Sequence, residues 1–290
     1  EIICEPKAYL NELMMDDNSG QPSAKEVFDT TPYTILVVDD NPDMTDFLKR
    51  TFEGYFKRII IAGDGVEALQ LVRSHVPDII VSDVMMPRMN GYKLCKTIKE
   101  DINISHIPVI LLTARDDRQS QISGYKNGAD GYLSKPFEVE MLMELIRNRL
   151  KNREYTKKRY LNAGLIPTPE ESTISLTDET FLIKLNSIIQ ENIENSNLGI
   201  QFICQEVGLG RSSLYNKLKA LTGMGANEYI SKLRIEKAIT LISGTDMPFS
   251  EIAEKTGFTT PSYFSTAFKQ YTGETPSQYK ERKKKGLAGK

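Results

Sequence analysis

Short apolar runs alternate with helix-like stretches in the first half of the chain. The runs cover residues 35–38, 79–81, 109–112 and 132–133, and most of their side chains are Ile, Leu or Val. Unbroken apolar runs of this length are typical of strands buried on both faces of a parallel sheet. Over residues 33–150 strand and helix patterns alternate five times. The pattern therefore predicts five βα units whose right-handed crossovers place helices on both faces of one sheet.

The second half of the chain contains only helical patterns and an internal repeat with a period of about 50 residues. Residues 203–209 parallel residues 252–258. Each copy comprises a short helix, a turn with a glycine, and a second helix with apolar residues at i, i+4 and i+7, which predicts two helix-turn-helix units. A long amphipathic helix over about residues 227–242 is expected to join them.

The expected fold class is thus α/β plus all-α, a flavodoxin-like (βα)5 domain followed by an all-helical domain. Periodicity is lost over residues 161–175, where Pro167 and Pro169 mark a spacer. We expect a tail over 1–32, a first domain over 33–150, a linker over 151–176 and a second domain over 177–290. The first residue is Glu1 rather than methionine, and residues 16–32 are loosely patterned, which predicts a piece of a longer protein whose upstream domain precedes the tail.

Composition narrows the possible classes of protein. The 290 residues are 40% hydrophobic and 26% charged, as in ordinary globular domains, and no apolar stretch has the roughly 20 residues of a membrane span. No signal peptide is apparent, so we expect a cytoplasmic segment. Cys4, Cys95 and Cys204 are too scattered for a disulfide framework or a metal site. The net charge of −2 conceals a basic run over residues 280–285 that could contact a polyanion.

Residues with charged or hydroxyl-bearing side chains lie where the predicted strands end. Because the carboxyl ends of parallel strands meet at one edge of a sheet, these side chains are expected to form one pocket. Singly, such residues are more often helix caps or solvated charges. Here their order and placement agree with one site. The residues are Asp39, Asp40, Asp83, Thr113, Tyr132 and Lys135.

Three carboxylates at one edge repel each other unless a cation lies among them, and Mg²⁺ with oxygen ligands is the expected ion. We expect Asp40, Asp83 and the backbone carbonyl of Met85 to bind Mg²⁺ directly, and Asp39 to bind it through water. An aspartate can act as a nucleophile and form an aspartyl-phosphate when a metal and a cation neutralise the incoming phosphoryl group. The pattern therefore predicts a phosphorylatable aspartate.

The remaining pocket residues have separate expected roles. Lys135 supplies the cation, Thr113 offers its hydroxyl to a phosphoryl oxygen, and Tyr132 is placed to swing inward once Thr113 moves toward the phosphate. Through residues 36–40, 82–87, 112–114 and 135–137 the first domain resembles a response-regulator receiver domain.

The receiver resemblance implies that Asp83 is the phospho-acceptor and that a histidine kinase is the phosphodonor. It also implies a cis Lys135-Pro136 bond and a dimerisation surface over about residues 118–150. None of these expectations follows from composition or spacing alone.

The second helix of a helix-turn-helix unit lies in the DNA major groove, with its apolar face packed inward. Leu214, Leu218 and Leu221 are expected to face inward. Gly257-Phe258, Phe268-Lys269 and residues 273–276 resemble an AraC-type DNA-binding domain over about residues 176–282. The expected DNA contacts are Arg211, Ser212, Tyr215, Asn216 and Lys219 in the first unit, and Thr260, Ser262, Ser265, Thr266 and Lys269 in the second.

Together the two halves predict a transcription regulator that binds double-stranded DNA sequence-specifically, depends on phosphorylation and is a homodimer when phosphorylated. The order of domains resembles the C-terminal part of Bacteroidetes hybrid two-component sensors. That resemblance implies a segment with no enzyme activity of its own, within a hybrid histidine kinase anchored in the inner membrane.

Two alternatives stay open. An aspartate-nucleophile phosphatase would share the pocket but need a second acid where Met85 stands. A receiver joined to a helical protein-interaction domain would not bind DNA.

Overall fold

A computed structural model describes residues 28–114, 128–162 and 175–287. The first domain is built on a five-stranded parallel sheet with the order β2-β1-β3-β4-β5. Because the strand order reverses at β1, the carboxyl ends of β1 and β3 flank the crevice where ligands bind in such sheets. The strands are β1 (Thr34–Val38), β2 (Arg58–Ala62), β3 (Ile79–Asp83), β4 (Val109–Ala114) and β5 (Gly131–Lys135).

Four described helices cover the two faces of this sheet, and the flavodoxin-like fold is confirmed. The side chains of Asn41, Asp64 and Asn90 accept hydrogen bonds from the first-turn N–H groups of the three helices that follow them. The helix expected between β4 and β5 falls within residues 115–127, outside the described part of the chain. The described helices are α1 (Pro42–Phe52), α2 (Gly65–His75), α3 (Gly91–Glu100) and α4 (Val139–Asn162).

Helix α4 continues well past the end of the receiver pattern. Its 24 residues include residues 151–162, so the first part of the segment expected to be a linker is helical. The remainder of that segment up to residue 174 lies outside the described residues.

The second domain is all-helical, as predicted from its periodicity. Each helix-turn-helix unit has a glycine with a positive φ between its two helices, Gly208 at 79° and Gly257 at 72°. The helices are α5 (Leu176–Glu191), α6 (Ile200–Val207), α7 (Arg211–Thr222), α8 (Ala226–Gly244), α9 (Phe249–Lys255), α10 (Pro261–Thr272) and α11 (Pro276–Leu287).

Helix α8 divides the second domain into two hydrophobic cores. Tyr229 and Leu233 belong to the core of α5, α6 and α7, whereas Ala238 and Ile242 belong to the core of α9, α10 and α11. Each helix-turn-helix unit therefore has its own core, and α8 fixes one unit to the other. Across the described ranges no helix is long and apolar enough to cross a membrane.

Candidate functional site

Two buried carboxylates share one ammonium group at the carboxyl edge of the sheet. Asp39 follows β1 and Asp83 ends β3, on either side of the crevice. The Nζ atom of Lys135 lies 2.8 Å from Asp39 Oδ2 and 2.6 Å from Asp83 Oδ1. The Lys135-Pro136 peptide bond is cis, as the resemblance to receivers implied. Strand ends thus bring together three predicted site residues that are distant in sequence.

Burial and the ion pairs with Lys135 have opposite effects on the pKa values in this pocket. Burial raises the pKa of the Asp83 carboxyl, although the hydrogen bond and charge of Lys135 oppose that shift. Burial alone would lower the pKa of Lys135, but its hydrogen bonds with Asp39 and Asp83 raise it, so the ammonium stays charged. Since two carboxylates have one ammonium between them, the pocket keeps a negative charge that a further cation would neutralise.

The backbone of the loop after β3 holds the acceptor carboxylate in place. The Met85 N–H donates to Asp83 Oδ2 at 2.7 Å, and the Gly91 N–H donates to the Val84 carbonyl at 3.0 Å. A Cβ atom at Gly91 would lie 2.2 Å from the Asp83 carbonyl oxygen, so only glycine allows this approach. Gly91 is not among the predicted site residues. The Asn90-Gly91 pair is the signal in the sequence for a sharp turn there.

Thr113 and Tyr132 lie on the neighbouring strands β4 and β5. Thr113 is fully buried, and its Oγ1 atom has no hydrogen-bond partner among the described residues. Tyr132 packs against the hydrophobic core on one face of the sheet and is partly buried. In the β4–β5 register Tyr132 is opposite Leu111, two positions before Thr113. The Thr113 hydroxyl therefore has unused capacity to donate or accept a hydrogen bond.

The predicted Mg²⁺ ligands differ in how deeply they are buried. Asp39 and Asp83 are buried, whereas Asp40, the residue after Asp39, is exposed. Within the described ranges no group of three or more His, Cys, Asp or Glu side chains could hold a metal ion. Mg²⁺ needs only one or two carboxylates beside water and phosphate oxygens. The two buried carboxylates with an exposed one beside them fit such an ion. The expected ligand set of Asp40, Asp83 and the Met85 carbonyl, with Asp39 acting through water, stays a prediction.

The expected DNA contacts lie on the solvent side of α7 and α10. Leu214, Leu218 and Leu221 face the core, as predicted. The opposite side of α7 includes Tyr215, which is 54% exposed. The exposed residues are Arg211, Ser212, Tyr215, Lys219, Thr260, Ser262, Thr266 and Lys269, and Asn216 and Ser265 are half-buried.

Several hydroxyl groups on α10 also support the helix itself. Thr260 is its N-cap and accepts a hydrogen bond from the Tyr263 N–H at 3.1 Å. Ser265 and Thr266 donate to carbonyls of their own helix at 2.9 and 3.1 Å. Each hydroxyl keeps acceptor capacity for another partner. Tyr263, which is 55% exposed at the start of α10, is an aromatic group on this surface that the sequence analysis does not single out.

One cation on α7 faces away from this surface. Lys217 is fully buried and contacts Asp178 of α5 and Ser105 of the first domain. The sequence carries a signal for the burial of Lys217, because this residue lies three positions after Leu214 and so on the apolar side of α7. Its position means that α7 contacts both its own domain and the receiver.

Family models match both halves of the chain. The model described as the response regulator receiver domain matches residues 35–147. The model described as a helix-turn-helix domain matches residues 203–282. These ranges contain the Asp83 pocket and both helix-turn-helix units, respectively.

Similar proteins include histidine kinase P4 of Formosa agariphila, 41% identical over 249 residues, which is 86% of this chain and 18% of the kinase. Response regulator MprA of a Mycobacterium species is 36% identical over 165 residues, 52% of this chain and 70% of MprA. A solved Francisella receiver domain is 37% identical, with a TM-score of 0.39, over 41% of this chain and 98% of that one.

The chain spans less than a fifth of the kinase and between half and three quarters of the response regulators it matches. The chain therefore belongs to the response regulators, with a receiver domain followed by an AraC-type helix-turn-helix domain.

Proposed function

We propose that the chain acts as a DNA-binding response regulator of a two-component system. In this proposal Asp83 accepts a phosphoryl group from a histidine kinase, and phosphorylation promotes dimerisation and sequence-specific binding to double-stranded DNA. The observation that carries this proposal is the Asp83 carboxylate, which is buried at the carboxyl edge of the sheet and paired with Lys135 at 2.6 Å.

Phosphoryl transfer would proceed by attack of an Asp83 oxygen on the phosphorus of the kinase phosphohistidine. The P–O bond forms as the P–N bond breaks, and the electron pair leaves with the imidazole nitrogen. Lys135 would stay near the transferred group and neutralise part of its charge. Asp40, Asp83 and the Met85 carbonyl would hold Mg²⁺, with Asp39 acting through water, and the ion would supply further charge neutralisation.

The new phosphoryl group would give the Thr113 hydroxyl a hydrogen-bond partner. Thr113 lies on the strand next to Asp83, where the β3–β4 register pairs Asp83 with Leu112. Movement of Thr113 toward the phosphate opens space behind it, which Tyr132 would fill by turning inward. This rearrangement would alter the surface over residues 118–150 and favour pairing of two receivers, although residues 115–127 lie outside the described part of the chain.

DNA binding would use the exposed sides of α7 and α10. Asn216 can hydrogen-bond to adenine, whereas Lys219 and Lys269 are suited to phosphate contacts. Because α8 joins the two units rigidly, they would enter successive major grooves on one face of the duplex. Pairing two chains would raise the affinity for adjacent sites by bivalence.

The test is DNA affinity with Mg²⁺, before and after treatment with a small-molecule phosphodonor, for the wild-type chain and Asp83→Ala. We expect phosphorylation to produce a dimer and to tighten binding at least about tenfold at paired sites, because linked binding raises the effective concentration. Asp83→Ala should not respond.

Two results would overturn the proposal. DNA binding by Asp83→Ala as tight as that of the phosphorylated chain would remove the phospho-switch. Steady release of inorganic phosphate by the wild-type chain, without any DNA binding, would favour the phosphatase alternative.

A further inference from the structure

One helix belongs to the hydrophobic cores of both domains. In its first half α4 contributes Leu142, Ile146 and Leu150 to the receiver core. In its second half it contributes Tyr160, which is buried among the residues of α5, α6 and α7. The Tyr160 carbonyl also accepts a hydrogen bond from Lys232 of α8. A continuous helix anchored at both ends in this way restricts rotation of one domain against the other.

A buried polar cluster connects the same two domains at a second place. Ser105, in the loop between α3 and β4, donates to Asp178 Oδ1 at 2.7 Å, and Lys217 Nζ lies 2.7 Å from Ser105 Oγ. Lys217 and Asp178 form an ion pair. Although burial acts to raise it, the charge of Lys217 holds the pKa of the Asp178 carboxyl below its ordinary value. A buried ion pair requires accurate geometry because both charges have lost their water.

Smaller contacts join the two domains between the second half of α4 and the buried polar cluster. Thr177 Oγ1 donates to the Lys99 carbonyl at 3.1 Å. The Leu161 side chain lies 3.2 Å from the position of a Cβ atom on Gly223, just after α7. Ile102 of the receiver packs against the core of the first helix-turn-helix unit.

This contact surface uses the side of α7 that faces away from the expected DNA contacts. Lys217, Ala220 and Leu221 are buried on it, whereas Arg211, Ser212, Tyr215 and Lys219 stay exposed. A receiver bound here therefore does not cover the expected DNA-binding side of the first recognition helix.

We propose that the receiver face formed by the Asp101–Pro108 loop and the second half of α4 is a docking surface for the first helix-turn-helix unit of the same chain, and that the docked pair acts as one rigid, DNA-compatible body. The inference rests on the proposed function where it concerns DNA. If the docked pair is rigid, a change in how two receivers pair moves α7 directly. The DNA-binding domain then does not have to be released from an inhibited state.

The test disrupts docking from the receiver side, where Ser105 is fully buried. Ser105→Lys places a second ammonium against Lys217 and should undock the domains. The matched control is Ser105→Asp combined with Asp178→Asn. This double variant transfers the carboxylate from α5 to the receiver loop, so Lys217 keeps a negatively charged partner. Dispersed receiver amide signals in the NMR spectrum show whether each variant keeps its fold.

The readout is ¹⁵N relaxation of the whole chain, which reports how each domain tumbles. We expect one shared rotational correlation time for the wild-type chain and for the double variant, and separate, shorter times for the two domains in Ser105→Lys. Separate times in the wild-type chain, or a shared time in a folded Ser105→Lys chain, would overturn the docking surface.

A second arm adds short random-sequence duplexes at low salt. We expect the shared correlation time to persist in the complex. On duplexes with paired sites, the phosphorylation-dependent gain in affinity should fall at least about tenfold in Ser105→Lys, because a loose joint weakens bivalence. Receiver signals that become independent on DNA would show that docking competes with DNA and would refute the rigid body. Absence of DNA binding with intact docking would refute the proposed function and leave the docking surface standing.

Discussion

Thr113 and Thr222 are both fully buried threonines, but their hydroxyl groups have different surroundings. Thr113 Oγ1 has no hydrogen-bond partner within the described residues. Thr222 Oγ1 donates to the Leu218 carbonyl at 2.8 Å and accepts from the Met224 N–H at 3.2 Å. A buried hydroxyl without a partner costs stability, whereas one with two partners contributes to it. The difference supports the proposed role of Thr113, whose hydroxyl would gain a partner in the phosphorylated state.

Thr113→Val and Thr222→Val should therefore differ in their free energies of unfolding. Valine keeps the shape of threonine, so Thr113→Val should be within about 0.5 kcal/mol of the wild type or more stable, while Thr222→Val should lose about 1–2 kcal/mol. Urea denaturation of the unphosphorylated chain measures both. Thr113→Val should also abolish phosphorylation-dependent dimerisation. An equal loss of stability in both variants would mean that Thr113 already has a partner.

The site residues that lie on strand ends could be predicted because the topology of a parallel sheet brings strand ends together wherever they occur in sequence. Asp39, Asp83 and Lys135 are within contact distance for this reason. The exposure of Asp40 was harder to foresee, since it depends on where β1 stops pairing. The contact of Lys217 with the first domain could not be predicted, because its partner Ser105 is 112 positions away in a loop without periodicity.

The two helix-turn-helix units differ at their equivalent turn glycines. Both Gly208 and Gly257 have positive φ, which costs a non-glycine residue free energy. Space around Gly208 is open, with no atom within 4 Å of an added Cβ. At Gly257 an added Cβ would be 2.2 Å from the Ile193 carbonyl oxygen and 2.9 Å from Arg234 Nη2. The second turn therefore approaches its neighbours much more closely than the first.

Alanine at these two positions separates backbone strain from steric overlap. Gly208→Ala should cost about 1–2 kcal/mol of stability from strain alone. Gly257→Ala should cost more than about 3 kcal/mol, because the turn must also move away from the backbone of Ile193. Denaturation midpoints of the two variants provide the measurement. Similar losses in the two variants would contradict the close packing of the second turn.

The internal repeat was sufficient to predict both units, since period and turn glycines are local features of the sequence. It could not show that α8 serves two cores or that the Arg234 guanidinium lies beside the second turn, where its Nη2 donates to the Asn195 carbonyl at 2.7 Å. Those contacts join helices from different parts of the chain, so no local pattern specifies them.

The whole chain combines two domains that share α4 and a buried polar cluster. Loss of periodicity predicts separate domains, but α4 continues through the expected boundary at residue 150 to Asn162. The contact between the domains is set by side chains distant in sequence, such as Tyr160 and Lys217. A rigid joint of this kind would link the geometry of paired receivers to the spacing of the DNA sites. The four recognition helices of a dimer would then act together, and each must contact DNA for the full affinity to develop.

The salt dependence of DNA affinity tests whether both recognition helices contact DNA. Lys219 on α7 and Lys269 on α10 are exposed, and each should neutralise one phosphate and release its counterions. Lys219→Ala and Lys269→Ala should each reduce the slope of log affinity against log salt by about 1 per chain and weaken binding to all sequences alike. Lys184→Ala, on the exposed side of α5, is the matched control and should leave the slope unchanged. A reduced slope in only one of the two variants would show that a single unit carries the DNA contact, and an unchanged slope in both would place the DNA-binding surface elsewhere on the domain.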